Sequence, residues 1–291
     1  MSCKYPSLLL IASALPALAQ AAVTGQFQLG DQAPLKPAVA AAFRSRDQFN
    51  PREFETVVML SAQALDTKKI GQSLDPYTTA INDPATQGDH ISLFVHADGT
   101  VSVNANVGHT QYVDSSGKIM GEQGALSATC KENTATRVAC TVKTTKPSKP
   151  MTGPSWTLDV SFDADVVSRP AGKPLAADGG EAGKAFLALR GAVGGNDFGK
   201  ILALMSPEQA KSYNEDWRTP EENLKSAKEI LDARLPKQPK ITGGELLADD
   251  HVLLEVEGKP FASMSMLYLI DMRRVDGKWV WANDTTLGVL K

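Results

Sequence analysis

Apolar and polar residues alternate most clearly between Trp156 and Val166, where every second side chain over eleven positions is apolar. This spacing is typical of a β-strand with one buried face. Residues 56–60 predict another strand, and residues 66–74 predict a short helix. We therefore expect the first half of the chain to consist mainly of strands.

Two alternating runs flank the dipeptide Asp98-Gly99 and predict a β-hairpin. A two-residue loop would place Leu93 opposite the polar Asn104. A three-residue loop with Gly99 in the left-handed conformation instead places Leu93 opposite Val103, which brings both apolar sets to one face. We therefore expect the longer loop.

Helical spacing replaces alternation in the second half of the chain. Residues 181–193 and 197–205 carry apolar side chains every three or four positions. Ser206 and Thr219 are each followed directly by Pro and, three positions after the hydroxyl residue, by Gln or Glu. This pattern predicts two capped helix starts, and the second of these helices is expected to end before Pro236.

The chain closes with alternating runs around Asp276-Gly277, which predict a second hairpin. A three-residue loop that begins at Val275 aligns the apolar faces and places Tyr268 opposite Asp284. We expect this face of the hairpin to lie under the helices, with a tyrosine and a carboxylate at its rim.

The first residues have the pattern of a secretory signal peptide. Lys4 precedes an apolar run at residues 8–15, and small residues at Ala19 and Ala21 offer cleavage sites. The run is too short to span a bilayer, and Cys3 precedes it instead of following it as in a lipoprotein. We therefore expect cleavage, and a mature chain that is periplasmic or secreted.

A stretch rich in Pro, Gly and Ala separates the two patterned halves and is typical of a linker. Strand patterns dominate before it, and helix patterns followed by strands dominate after it. The predicted organisation is a signal peptide (1–21), a β-rich domain (22–167), a linker (168–180) and an α+β domain (181–291).

Removal of the signal peptide would leave Cys130 and Cys140 as the only cysteines. An even pair in an exported protein favours a disulfide, here one that cross-links a hairpin. A redox or metal role is disfavoured, because the sequence has no Cys-x-x-Cys and no histidine near the pair.

The histidines offer one candidate metal cluster, formed by His90, His96 and His109. The first two are six positions apart on one predicted strand, about 20 Å at 3.3 Å per residue, and His109 has the opposite parity. We therefore predict surface histidines, no metal site and no cofactor. His251 shares the parity of Glu255 on a later strand, so we also expect it to face solvent.

Composition adds mainly exclusions. The chain of 291 residues has 42% apolar and 22% charged residues and a net charge of −3, which is ordinary for a folded protein. Without a basic block there is no electrostatic reason to expect binding to nucleic acid.

The second half resembles the nuclear transport factor 2-like superfamily. Residues 186–207 look like the first helix of that family, its polar break and its continuation into Ser-Pro, and residues 267–281 look like its final hairpin. The resemblance covers about 110 residues and implies an α+β cone, with helices packed on a curved antiparallel sheet. Family members include enzymes, ligand binders and association domains, and Asp284, facing Tyr268, is the only position to which a catalytic role transfers.

The predicted fold class is therefore α+β: an antiparallel β-sandwich or barrel-like domain followed by an α+β cone. We expect an exported, non-catalytic binding protein whose partner is another envelope or secreted protein, for example one that it inhibits or to which it confers immunity. The alternative is a small-ligand binder or enzyme whose pocket contains Asp284 and Tyr268. A structural envelope role is a third hypothesis.

Overall fold

A computed structural model describes residues 21–47, 50–119, 122–150, 153–195, 197–214, 218–261 and 264–290. Nearly all of the predicted signal peptide lies outside these residues. Within them, no helix combines the length and the apolar character that a membrane crossing requires.

A nine-stranded curled sheet occupies the first half of the chain, in the order β6-β5-β4-β3-β2-β1-β11-β10-β9. Its strands are β1 (Ala21–Leu29), β2 (Val39–Arg46), β3 (Phe54–Ser61), β4 (His90–Val95), β5 (Val101–Val107), β6 (Thr110–Ser115), β9 (Leu126–Asn133), β10 (Arg137–Thr144) and β11 (Trp156–Val167). The short strands β7 (Lys118–Ile119) and β8 (Glu122–Gln123) pair beside it.

One face of this sheet encloses the larger apolar core of the first half. Phe27 on β1 stacks against Trp156 on β11 at 5.3 Å between ring centroids, and it also contacts Tyr112 on β6. The opposite face of β2, β3 and β4 is covered by α1 (Thr67–Gln72) and α2 (Pro76–Ile81), around a smaller core that contains Phe43.

A second sheet of five strands forms the last part of the chain, in the order β12-β13-β14-β15-β16. Helices pack on one of its faces around Phe186 and Trp281, which are fully buried. The elements are β12 (Lys173–Pro174), α3 (Gly180–Val193), α4 (Phe198–Leu202), α5 (Pro207–Tyr213), α6 (Pro220–Arg234), β13 (Lys240–Ala248), β14 (His251–Phe261), β15 (Met264–Val275) and β16 (Lys278–Leu290).

The predicted fold class is wrong. The described chain is mostly β, with 48% strand and 22% helix, and the first half forms one curled sheet instead of the two stacked sheets of a sandwich. The α+β cone predicted for the second half is not clearly present either, because strands dominate the described chain. Alternation along single strands predicts which residues are strands, but it does not determine how many sheets they form.

Local predictions fared better than the fold class. The alternating segment at Trp156 is strand β11, and the predicted short helix is α1. Ser206 caps α5, and Thr219 begins α6 with a full capping box that includes Glu222. These signals depend on neighbouring residues alone, which is why the sequence reveals them.

The predicted disulfide is present between Cys130 and Cys140, which lie opposite each other on β9 and β10. The pairing shifts by one residue beside the bond, and Lys131 is left without a partner in the ladder. The disulfide therefore cross-links a hairpin at an irregular point of its register.

The two Asp-Gly hairpins differ from each other. The first has the predicted three-residue loop, with Leu93 opposite Val103 and a left-handed Gly99 at φ 84°. The second has a two-residue loop, since Val275 pairs directly with Lys278, so the three-residue prediction is wrong there.

A bulge at Ala282 compensates for the shorter loop of the second hairpin. Asn283 pairs with Asp271 and Trp281 pairs with Met272, which leaves Ala282 extra. Beyond a second irregularity at Leu287 the ladder continues. Trp281 lies in the core because the shorter loop pairs it with Met272, whereas the predicted register placed it on the opposite face.

Part of the predicted linker belongs to the second sheet. Lys173 and Pro174 form β12 and pair with Leu246 and Glu245 on β13. The carboxylate of Glu245 also accepts hydrogen bonds from Arg169 and from the backbone N–H of Gly172, both at 3.0 Å.

Candidate functional site

A cleft of about 620 Å³ lies between the two sheets, and we call it the intersheet cleft. Its walls are the end of β2, the turn between α1 and α2, the segment before β12, and the helix-free face of the second sheet. The residues on which the argument depends are Arg44, Arg46, Phe54, Leu74, Asp75, Tyr77, Arg169, Glu245, Leu253, Glu255, Met266 and Leu269. The volume is within the range of small-molecule sites, roughly 300–1,000 Å³.

Arg44 and Arg46 alternate on β2, so their side chains lie on one face of the strand. Both guanidinium groups lie over the ring of Phe54, which pairs with Arg46 on β3, at 5.5 Å and 4.1 Å from the ring centroid. The aromatic ring thus holds two cations side by side at the cleft.

Two of the three arginines at the cleft are neutralised by carboxylates of the second sheet. Arg46 contacts Glu255 at 2.5 Å, and Arg169 contacts Glu245 at 3.0 Å. Outside the cleft, Arg52 forms a further ion pair with Glu257. We predicted that the parity of Glu255 and Glu257 indicates solvent, which is wrong, because this face of β14 meets the first half of the chain.

Arg44 differs from its neighbours because it forms no salt bridge with any described residue. Its guanidinium donates to the Thr56 hydroxyl at 3.2 Å and to the Phe54 carbonyl at 3.5 Å. Burial lowers the pKa of Arg44, and only the more distant charge of Glu55 opposes that effect. The cleft wall therefore contains one half-buried cation whose charge is not compensated by direct contact.

The remaining acidic group in the cleft is already engaged. Asp75 caps α2 by accepting a hydrogen bond from the backbone N–H of Thr78 at 2.9 Å. The rest of the lining includes the apolar side chains of Leu74, Leu253 and Met266 and the ring of Tyr77. The arrangement can accommodate a ligand that has an apolar body and one acidic group.

A second cluster lies where β2, β3 and β4 end together, and we call it the His96 cluster. The imidazole Nδ1 of His96 is 3.2 Å from a carboxylate oxygen of Glu55 and 3.7 Å from one of Asp47. Glu55 is only 5% exposed. Burial raises the pKa of Glu55, and its hydrogen bond to His96 opposes that rise and raises the pKa of His96.

The other imidazole nitrogen of His96 points to a hydroxyl. Nε2 is 3.2 Å from Ser102 Oγ on β5, and Ser102 in turn donates to Ser115 Oγ at 3.3 Å. Carboxylate, imidazole and hydroxyl follow the order of a hydrolase triad. Neither of the clefts described here is lined by Ser102, however, and its hydroxyl proton is directed to Ser115.

The predicted pocket pair, Asp284 and Tyr268, is not a cross-strand pair. Asp284 lies opposite Ile270, because the bulge at Ala282 shifts the ladder. Its carboxylate contacts the guanidinium of Arg234 at 2.9 Å. Burial raises the pKa of Asp284 and Arg234 opposes that rise, whereas burial and the Asp284 charge both raise the pKa of Tyr268.

Arg234 connects this carboxylate to aromatic side chains in the core between the second sheet and its helices. Its guanidinium lies 5.2 Å from the ring of Trp281 and donates to the hydroxyl of Tyr213 at 3.3 Å. Asp284 also lines a smaller cleft of about 380 Å³, together with Asp271 and Asn283. The ion pair of Arg234 and Asp284 links the end of α6 to β16.

The prediction that the histidines lie on the surface is wrong for His90. His90 is 7% exposed and contacts the Gly88 carbonyl, whereas His109 is exposed in a turn. His251 was expected in solvent, but its Nε2 lies 3.0 Å from the buried carboxylate of Asp271.

Sequence reasoning missed both sites for one reason. His96 and Glu55 meet only because β3 and β4 pair in a particular register, and Arg44 reaches Phe54 only because β2 pairs with β3. Parity did place His96 and His90 on one strand face. No signal in the sequence indicated which neighbouring strand would supply the carboxylates.

The chain matches no family model, and comparisons with curated proteins and with solved structures found no match either.

Proposed function

We propose that the protein is a non-catalytic binding protein that holds an amphipathic acid in the intersheet cleft. The observation that carries the proposal is Arg44, a half-buried guanidinium without a salt bridge to a described residue, in the wall of a 620 Å³ cleft. An acidic group on the ligand would compensate this charge at low cost, since the site is already partly desolvated. The apolar body would contact Phe54, Leu74 and Met266.

The walls of the cleft support binding better than they support catalysis. Arg46 and Arg169 are held by ion pairs, and the carboxylate of Asp75 is used as a helix cap. A general base or nucleophile needs a group that is free to exchange a proton with the substrate. The charged groups described here instead provide orientation and charge complementarity.

Dodecanoate is a suitable first probe, with dodecylamine as the matched cation of the same chain length. Isothermal titration calorimetry should show saturable binding of dodecanoate and much weaker binding of dodecylamine. Arg44→Gln should weaken dodecanoate binding about tenfold or more, the effect of losing one charged hydrogen bond. Arg137→Gln removes the same charge from the exposed end of β10 and should leave binding unchanged.

Equal binding of both amphiphiles, or equal effects of the two arginine variants, would show that the cleft does not select an acid. Circular dichroism of each variant separates a local effect on the cleft from a loss of fold.

Export is part of the proposal. The disulfide supports an oxidising compartment, because such bonds rarely persist in a reducing cytoplasm. The intact mass of protein recovered from a periplasmic fraction tests this directly: a mature chain that begins near Ala22 is expected, and a chain that retains Met1 would contradict cleavage.

A protein partner in the envelope, such as an enzyme that this protein inhibits, stays a prediction. Affinity capture from periplasmic extract, with Arg44→Gln as the comparison, would show whether such a partner occupies the same cleft.

A further inference from the structure

We propose that the His96 cluster is a binding site for a divalent transition-metal ion such as zinc, with Asp47, Glu55 and His96 as its protein ligands. Each of the three residues offers one ligand atom, and these atoms all lie within 4.8 Å of one another. The site is distinct from the intersheet cleft and does not depend on the cleft's ligand.

The distances within the cluster suit a common central ion. Zinc bonds to nitrogen and oxygen are about 2.1 Å long, so ligand atoms at the corners of a tetrahedron lie about 3.4 Å apart. The observed separations from His96 Nδ1 are 3.2 Å to Glu55 and 3.7 Å to Asp47. These two separations are within about 0.3 Å of the tetrahedral spacing, and the third, between the carboxylate oxygens of Asp47 and Glu55, is below 4.8 Å.

The ligand types favour a transition metal over calcium or magnesium. Imidazole nitrogen together with two carboxylates is a typical donor set for zinc and its neighbours, whereas calcium and magnesium select oxygen ligands alone. Three protein ligands leave a fourth position, which is the arrangement of zinc sites that hold a water molecule.

Further contacts hold the ligands in place. Ser102 Oγ lies 3.2 Å from His96 Nε2, which leaves Nδ1 directed at the carboxylates. One oxygen of Asp47 accepts a hydrogen bond from the backbone N–H of Asn50 at 3.1 Å, and its other oxygen faces His96. Glu55 is 5% exposed, so its position is set by the strand that carries it.

Charge balance also favours a bound cation. Two carboxylate groups face one imidazole in this half-buried cluster, and burial of negative charge is costly without a nearby cation. A divalent cation balances both carboxylates and occupies the space between the three ligand atoms.

The test uses untagged mature protein that has been treated with a chelator and then titrated with zinc chloride in a calorimeter. We expect one zinc per chain. His96→Gln should weaken zinc binding by roughly 100-fold or more, and Ser102→Ala, which removes only the orienting contact, by about tenfold. His109→Asn removes an exposed histidine from a turn with φ 63°, a conformation that Asn adopts, and should bind zinc like the original protein.

Absence of saturable zinc binding in the unsubstituted protein would overturn the proposal, because the cluster would then be an ion pair between His96 and the carboxylates. Zinc binding that survives His96→Gln, or that disappears in His109→Asn, would also overturn it. If His96→Gln fails to fold, Glu55→Gln removes a different ligand with little change in volume, and the same loss is expected. The cleft is tested separately with dodecanoate, so either proposal can fail without the other.

Discussion

The same dipeptide, Asp-Gly, closes two hairpins of this protein that are built differently. The hairpin of β4 and β5 has a three-residue loop and an unbroken ladder of cross-strand pairs. The hairpin of β15 and β16 has a two-residue loop with positive φ at both Asp276 and Gly277. A bulge at Ala282 then returns the side chains beyond it to the face that a three-residue loop would give them. Apolar residues reach the core in both cases, but one hairpin achieves it in the loop and the other within a strand.

The difference shows that a turn does not determine register by itself. A one-residue change in pairing moves every following side chain to the opposite face. In the second hairpin the two-residue loop changes the pairing by one residue, which places Trp281 on the side of the helices. The bulge at Ala282 changes the pairing by one more residue, which places Asp284 on the same side. Experiments that alter loop and strand separately can therefore separate the two solutions.

The largest effect should come from deleting Val280, which lies between the turn and the bulge. The ladder would then become regular with Asn283 still opposite Asp271, but Trp281 would pair with Arg273 instead of Met272 and leave the core. We expect a loss of about 3 kcal/mol or more in the free energy of unfolding, measured by urea denaturation.

Deleting Ala97 from the loop of the first hairpin is the matched control. His96 and Thr100 would still close the turn, now around Asp98-Gly99 as a two-residue loop, and no strand residue would change face. The expected cost is below about 1 kcal/mol, and an equal cost for both deletions would refute the distinction between the hairpins.

The hairpin of β9 and β10 also contains a bulge, and its disulfide provides the next largest expected effect. Cys130→Ala combined with Cys140→Ala removes a cross-link between residues 10 apart in sequence. The expected loss is about 2 to 3 kcal/mol, with folding retained, because the unfolded chain gains freedom. Melting in the presence and absence of a reductant gives an independent measurement, and an unchanged melting temperature would contradict the prediction.

The carboxylate beyond the bulge should give a smaller, pH-dependent effect. Because burial raises the pKa of folded Asp284, its stabilising contribution is complete below the unfolded pKa and is lost as pH rises through the folded pKa. As pH rises from about 4 to about 7, the stability of Asp284→Asn relative to the original protein should therefore increase.

Asp232 on α6 is a control of opposite sign. Hydrogen bonds from Lys237 and Arg190 lower the pKa of Asp232, so its contribution is present above the unfolded pKa and is lost as pH falls. Asp232→Asn should thus lose stability relative to the original protein as pH rises from about 2 to about 5, a lower window than that of Asp284. A pH trend of the same sign for both variants would contradict the assignment.

The smallest effect concerns the aspartates of the two turns. Asp276 has φ 50°, where glycine is unstrained, so Asp276→Gly should be neutral or slightly stabilising. Asp98 accepts hydrogen bonds from the backbone and hydroxyl of Thr100, so Asp98→Gly should cost about 0.5 to 1 kcal/mol. Thermal unfolding of both variants measures the difference, and equal shifts would indicate that the turns are alike.

Local chemistry explains which predictions succeeded. The capped start at Thr219, the strand at Trp156 and the disulfide of Cys130 depend on a few neighbouring residues or on a count. The location of Asp284 depended on the bulge at Ala282, which no neighbouring residue in the sequence indicates. The contacts of Arg44 with Phe54 and of His96 with Glu55 depend on strand pairing, which the alternation of one strand cannot specify.

Strand β12 protects the second sheet from unwanted association. An open strand edge presents unpaired backbone groups to which another chain can add. Lys173 and Pro174 occupy part of the edge of β13, and Pro174 has no backbone N–H to offer to a further strand. A cut between β12 and α3 would detach β12 from the second half and free this edge, and the consequence would be aggregation of the second half before any loss of its core.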